Sequence, residues 1–186
     1  SGFVQFYKRD QEGVWNSAGS MIGSPNAETN GNFGADVAID GEWAFVGAKR
    51  EDVASVDEGR IYVYHLTATG WEATGQTING AITSGLLGRN IEVNGDYMVH
   101  SSSSGGVSVY QANAGLLASH GVPVNYGVHD SIAISENGEY FAIGNSSAGG
   151  SGEVTVYRFN GVTYASYKTI SGDASSDGLG ASIDIK

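Results

Sequence analysis

The chain has 186 residues with 29 glycines, two prolines, no cysteine and a formal charge of −11. Clustered Lys and Arg, which a nucleic acid or an anionic membrane surface requires, are missing, and so are disulfides, thiol catalysis and thiolate metal sites. No apolar run approaches the roughly 18 residues that cross a bilayer as a helix.

The first predicted element is GFVQFY at 2–7, a glycine followed by period-two alternation that ends in tyrosine, which is a strand pattern. A solvent-facing, mixed-charge turn (Lys8, Arg9, Asp10, Glu12) leads to a second strand that begins near Gly13-Val14-Trp15 and reaches Ile22. The stretch GNFGADVAIDGEWAFVGA at 31–48 then reads as two strands, about 35–39 and 43–47, joined at Asp40-Gly41. Asp-Gly is a strong two-residue hairpin signal, so these strands are expected to be adjacent and antiparallel. After the acidic loop KREDVASVDEG at 49–59, GRIYVY supplies a strand at 60–64, and a further strand at 71–78 starts from Gly70-Trp71.

Beyond residue 80 the same order returns. LGRNIEVNGDYMVHSS at 87–102 aligns with 33–48, and VHDSIAISENGEYFAIG at 128–144 does so with one inserted residue. GGVSVY at 105–110 and GEVTVY at 152–157 repeat GRIYVY, GVTY at 161–164 repeats the glycine-aromatic start, and LGASIDIK at 179–186 begins one more copy. Tyr7, Tyr64, Tyr110 and Tyr157 recur at roughly 50-residue intervals, and such a period with four strands (A to D) per unit describes a β-propeller blade. No sustained 3.6-residue apolar period supports a helical solenoid. The expectation is an all-β, β-propeller region over 1–186 made of four-stranded antiparallel blades. The units fall at 1–30 (strands C and D), 31–80, 85–122, 126–172 and 177–186 (strand A). A register that opens on C and closes on A reads as part of a larger propeller, with a closed four-bladed ring as the alternative, because open edges invite aggregation.

The unit at 33–78 resembles an FG-GAP repeat, the blade type of the integrin α-chain propeller and of many secreted microbial proteins. The likeness rests on Phe33-Gly34, the Val37-to-Gly41 hairpin, Val46-Gly47-Ala48, the acidic loop ending at Gly59, the IYVY strand and Gly70-Trp71. It implies an extracellular or cell-surface module that meets a protein or glycan partner through loops on one face, with no nucleic acid and no membrane insertion. Two departures stand out. The family's proline after Gly-Ala is Lys49 here, and its calcium loop is reduced to Asp40-Gly41-Glu42, Asn94-Gly95-Asp96 and Asn137-Gly138-Glu139. Calcium takes six to eight oxygens, so no calcium site is carried over.

Alternating strand directions place A–B and C–D turns on one face and the longer B–C and D–A loops on the other, where binding residues usually gather. Candidate partner-binding residues are Lys49, Arg50, Glu51, Asp52, Asp57 and Glu58, with Asp173 and Asp177 from a D–A loop, against the simpler reading of solvated loops. His65, His100, His120 and His129 follow no metal motif, and the serine runs at 101–104 and 146–147 follow no nucleophile motif. Gly31, Gly34 and Gly41 fit no phosphate-binding pattern. No catalytic residue, metal or cofactor is therefore assigned. Trp15, Trp43, Trp71 and Tyr164 recur at related positions, which points to packing between blades. Asn145-Ser146-Ser147 is a glycosylation sequon. The functional expectation is a non-catalytic binding or adhesion module. The alternatives are a structural subunit of an extracellular filament or coat, self-assembling through the incomplete blade, and an accessory propeller of a larger secreted enzyme.

Overall fold

Period-two alternation becomes strands throughout the computed structural model, which describes residues 2–26, 28–103, 106–113, 116–121, 124–127 and 129–186. Gly105, which opens GGVSVY, and Val128, which opens the third A–B hairpin, lie outside these residues. Strands β1 (Phe3–Val4), β2 (Tyr7–Arg9), β3 (Trp15–Ser17) and β4 (Ile22–Gly23) form one antiparallel hairpin in two pieces, β1 with β4 and β2 with β3. The interruption is filled by Gln5, whose amide donates to Ser17 Oγ and to the Gly19 carbonyl.

Three sheets follow. The first runs β5 (Phe33–Asp40), β6 (Trp43–Ala48), β7 (Arg60–Thr67), β8 (Gly70–Asn79), each strand antiparallel to its chain neighbour. The second runs β9 (Asn90–Asn94), β10 (Tyr97–Ser101), β11 (Gly106–Asn113), β12 (Leu116–Ser119), and a short β13 (Val124–Asn125) continues the pairing along β11. The third is β14 (Ser131–Ile134), β15 (Tyr140–Asn145), β16 (Glu153–Phe159) and β17 (Tyr164–Ser171). These are A-to-D blades, and the fold is an all-β propeller.

Pleating sends alternate side chains of each blade to its two neighbours. Ala44, Val46 and Ala48 of β6 turn back with Phe33, Tyr62 and Tyr64 onto Val4, Phe6 and Ile22 of the first hairpin. Trp43 and Phe45 of the same strand turn forward with Ile61, Val63 and Ile78 onto Leu87, Ile91 and Met98. Val99, Val107 and Val109 repeat that forward contact against Ile132, Ile134, Phe141, Ile143 and Tyr164. The hydrophobic core therefore lies between blades. Each fully buried side chain of this size contributes about 1.5–3 kcal/mol. Trp71 stacks on Phe6 of the first hairpin at 4.6 Å and Tyr164 meets His120 of the second unit edge-on at 6.0 Å, as recurrence suggested. Trp15 differs: it is 64% exposed.

Glycines let the backbones of successive blades approach. A Cβ added to Gly47 would lie 2.0 Å from the Gly88 carbonyl oxygen, and one on Gly144 2.1 Å from that of Gly180. One on Gly59 or Gly152 would lie 2.3 Å from the Leu87 or Leu179 oxygen. Side chains of strand A then reach the next blade: Ile91 N–H donates to Asp36 at 2.7 Å, Gly95 N–H to Asp40 at 2.6 Å, and Asn94 Nδ2 donates to the Ile134 carbonyl at 3.0 Å.

Two expectations are corrected. The A–B turns sit one residue later than Asp-Gly, since Asp40 pairs with Trp43 and Asn94 with Tyr97; the loop residues are Gly41-Glu42 and Gly95-Asp96. Asp40 and Asn94 remain on the strands because their side chains bond the following blade. The segment 179–186, expected as a further strand A, makes a single parallel bridge, Leu179 to Gly152, and no ladder. A strand is held by pairing along its length, and no neighbouring strand pairs with 181–186 among the described residues.

Replacing Gly59, which also has a φ of +83°, by Ala is expected to destabilise the fold by about 2–4 kcal/mol through overpacking plus left-handed strain. Gly161→Ala, at similar φ with no atom within 4 Å, should cost about 1 kcal/mol. Urea unfolding midpoints of the two variants check the difference.

Candidate functional site

B–C and D–A loops meet on one face and are bonded to each other through the main chain. In the 49–58 loop, Arg50 N–H donates to the Gly31 carbonyl at 3.1 Å, and Asp52 N–H to the Glu28 carboxylate at 2.9 Å. On its other side, Ser84, Leu86 and Leu87 N–H groups donate to the carbonyls of Val56, Asp57 and Glu58. Ser103 N–H then donates to Gly85 at 2.7 Å. A band of loops from 28 to 103 is thus joined without a break in hydrogen bonding. A second pair of loops meets where Ser176 N–H donates to Gly150 and Leu179 N–H to Ser151.

The acidic loop folds around its own carboxylates. Glu51 is 1% exposed, accepts the Tyr62 hydroxyl at 2.8–2.9 Å, and pairs with Arg60 at 2.8 Å. Burial, and then the hydrogen bond and charge of Glu51, push the Tyr62 hydroxyl up to about 12. Glu58, also buried, accepts the N–H groups of Ala54 and Ser55 at 2.6 and 2.8 Å. Those two bonds hold its carboxyl below the usual range. Asp52 accepts Asp57 N–H at 2.7 Å. Glu51 and Glu58, expected to face a partner, are instead internal supports: an anion buried in a loop must be hydrogen-bonded or paired, and both are.

What remains outward is a mixed set. Arg50 and Asp52 are exposed, while Lys49 and Asp57 are half-buried. Asp173 and Asp177 are exposed on the second loop pair, where Asp177 accepts Ala174 N–H at 2.7 Å. No hydrogen bond among the described residues links this pair to the 49–58 loop, so the eight candidates form two groups. Asn145 ends β15 half-buried and accepts Ser147 N–H at 3.0 Å. Sequence inspection missed Glu28, Arg60 and Tyr62. Only the parity of β7, which sends Arg60 and Tyr62 to the same side as Glu51, could have signalled two of them.

Behind the loop band a cavity of about 380 Å³ opens between the first two blades, lined by Glu58, Ile78, Ile82, Leu87, His100 and Tyr110. His100 is 4% exposed, stacks on Tyr110 at 5.6 Å, and has no hydrogen-bond partner on either ring nitrogen. Burial drops its pKa to about 4. The other histidines are separate: His65 lies against Trp43, His120 against Phe159, and His129 contacts the Gly127 carbonyl.

Glu51→Ala leaves Arg60 and the Tyr62 hydroxyl without their acceptor and is expected to cost about 3 kcal/mol, against about 0.5 kcal/mol or less for the exposed Asp173→Ala; chemical unfolding compares them. The folded pKa of His100 lies below its ordinary 6.5. Its stabilising contribution is therefore complete above 6.5 and is lost as pH falls toward about 4, on the order of 3 kcal/mol. His100→Phe should flatten that limb in unfolding midpoints measured across the window.

Residues 17–64, from β3 through the 49–58 loop and into β7, match the model of the FG-GAP repeat. No curated protein matches the sequence. Among solved structures, provisionally named 6-phosphogluconolactonases from Bacteroides fragilis and Bacteroides uniformis each superpose with a TM-score of 0.60 at 13% identity, over 95% of this chain and 55% of theirs. A protein of Desulfotomaculum acetoxidans, described as functionally unknown, gives 0.55 at 16% identity, over 91% and 49%. The chain spans about half the length of these structures, and likeness at such identities concerns the fold alone.

Proposed function

We propose, with an FG-GAP repeat in a β-propeller as the premise, that the protein is a non-catalytic extracellular binding module acting through its B–C and D–A loop face. The observation that carries this reading is the loop band itself. Main-chain bonds join consecutive loops from 31 to 103, and Glu51 and Glu58 hold the 49–58 segment from within. Loops ordered before contact lose less entropy on binding. Their outward residues, Arg50 and Asp52 with Lys49 and Asp57 beside them, carry both signs of charge. Such a surface suits the polar exterior of a protein or glycan better than a uniformly charged polymer. Among the described residues no helix is long and apolar enough to cross a membrane. A filament subunit or an enzyme's accessory propeller would use the same scaffold, but neither draws support from a particular contact.

Arrays of surface proteins and glycans, probed with the chain and with an Arg50→Glu/Asp52→Lys variant, test the proposal. The expected result is a discrete set of hits weakened about tenfold or more by the double substitution, about 1.4 kcal/mol, at an unchanged unfolding midpoint. Hits indifferent to the substitution, or saturable hydrolysis of 6-phosphogluconolactone by the chain, would overturn it.

A further inference from the structure

Equivalent places between blades can be compared, and at one of them the filling side chains are small. Gly106 of β11 pairs with Asn125 as Arg60 of β7 pairs with Asn79, so Tyr126 stands in the second blade where Gly80 stands in the first. Tyr126 lies against the third blade: its ring meets Tyr157 edge-on at 6.5 Å, and its hydroxyl donates to Glu153 at 3.1 Å. Where the first blade faces the first hairpin a tyrosine is again present, supplied from the other side. Tyr62 meets Phe33 edge-on at 5.5 Å and donates its hydroxyl to Glu51. Between the first and second blades neither tyrosine occurs. Ser108 stands for Tyr62, Gly106 for Glu153 and Gly80 for Tyr126. Gly80 can carry no side chain, because a Cβ there would lie 2.1 Å from the Glu58 carbonyl oxygen. The space that these small residues leave is the cavity of about 380 Å³, with Gly80, Gly106, Ser108, His100 and Tyr110 in its walls.

We propose that this cavity binds a small, uncharged, phenol-like molecule, whose flat ring takes the tyrosine's place and whose hydroxyl is met by His100. The volume falls within the range of small-molecule sites, which are mostly apolar with a few polar groups that fix orientation. Ile78, Ile82 and Leu87 supply the apolar wall. Tyr110, the counterpart of Tyr157, supplies an aromatic partner for a ring, for which an edge-on or offset approach is preferred. His100 takes the place of Ile143, and neither of its ring nitrogens has a partner. A buried polar group without a hydrogen bond is costly, and a ligand hydroxyl gives the imidazole the bond that the chain does not supply. Both nitrogens are shut off from solvent as the ring stands. A half-turn about the Cβ–Cγ bond exchanges nitrogens and carbons within one ring outline, so a nitrogen can face the cavity with the backbone in place. Glu58, the one charged residue in the walls among the described residues, is already engaged by the Ala54 and Ser55 amides. Nothing there answers a full charge on the ligand, and a neutral molecule is specified. The site lies behind the loop band and uses none of its outward charges, so its test is independent of the partner reading.

The test titrates 4-methylphenol, the tyrosine side chain as a free molecule, into the 186-residue chain at neutral pH. NMR follows the His100 imidazole resonance, assigned by its loss in His100→Phe. Saturable movement of that resonance is expected, with a dissociation constant on the order of 1 mM for so small a ligand. Toluene, which lacks the hydroxyl, and 4-methylbenzoate, an anion, should bind about tenfold more weakly or not at all. In His100→Phe the preference for 4-methylphenol over toluene should disappear, read by saturation transfer to the ligand. Ser108→Tyr, which places a tyrosine where Tyr62 has one, should abolish binding at an unfolding midpoint no lower than that of the parent chain. If Ser108→Tyr does not fold, the comparison of the two ligands in His100→Phe decides. The proposal is overturned by absence of saturable binding, by equal binding of toluene or of 4-methylbenzoate, by a preference that survives in His100→Phe, or by full binding to folded Ser108→Tyr.

Discussion

Every inter-blade contact in this protein depends on how closely two backbones can approach. Where Gly47 and Gly59 face Gly88 and Leu87, the main chains touch with no side chain between them, and that contact sets the separation of the sheets. Given it, Phe45, Ile61 and Met98 interlock without exposed surface, and Asp36 and Asp40 reach the amides of Ile91 and Gly95. Interiors packed at crystal-like density do not tolerate a gap of a few tenths of an ångström along such a seam. The third blade repeats the arrangement at Gly144, Gly152 and Gly180.

The seam between the second and third blades shows what happens when those glycines are replaced. Ser101 stands where Gly47 and Gly144 stand, and His129 where Gly34, Gly88 and Gly180 stand. His100 fills the position of Val46 and Ile143 and is buried without a hydrogen-bond partner. A polar ring in an apolar slot is tolerated there in its neutral form, with Tyr110 on its face and a cavity beside it. The blade that matches the repeat least well in sequence is also the one whose outer strand is split between β12 and β13.

The loop face inverts a common assumption about acidic loops. Four carboxylates within eight residues look like a charged patch offered to solvent. Two of them are consumed in closing the loop, and the exposed charge that remains is near balance locally although the chain as a whole is strongly acidic. Buried carboxylates that accept main-chain amides act as rigid braces, which is how a loop without secondary structure keeps one shape.

Strand order, hairpin pairing and the existence of repeated blades were legible in the residues, because period-two alternation, Asp-Gly and Asn-Gly turns and recurring tyrosines are local signals. The match to strands A through C at 33–64 needed nothing beyond them. The turn register and the burial of Glu51 and Glu58 were not legible. The turn register depends on the Gly95 N–H that the next blade brings to Asp40, and the burial of the two carboxylates on Arg60 and Tyr62 of β7 for Glu51 and on amides of the loop itself for Glu58. The sequence by itself therefore determined the blade, since a blade is built from neighbours in the chain. Only the tertiary structure decided which charges face outward, since that follows from how the loop folds back on itself and on β7.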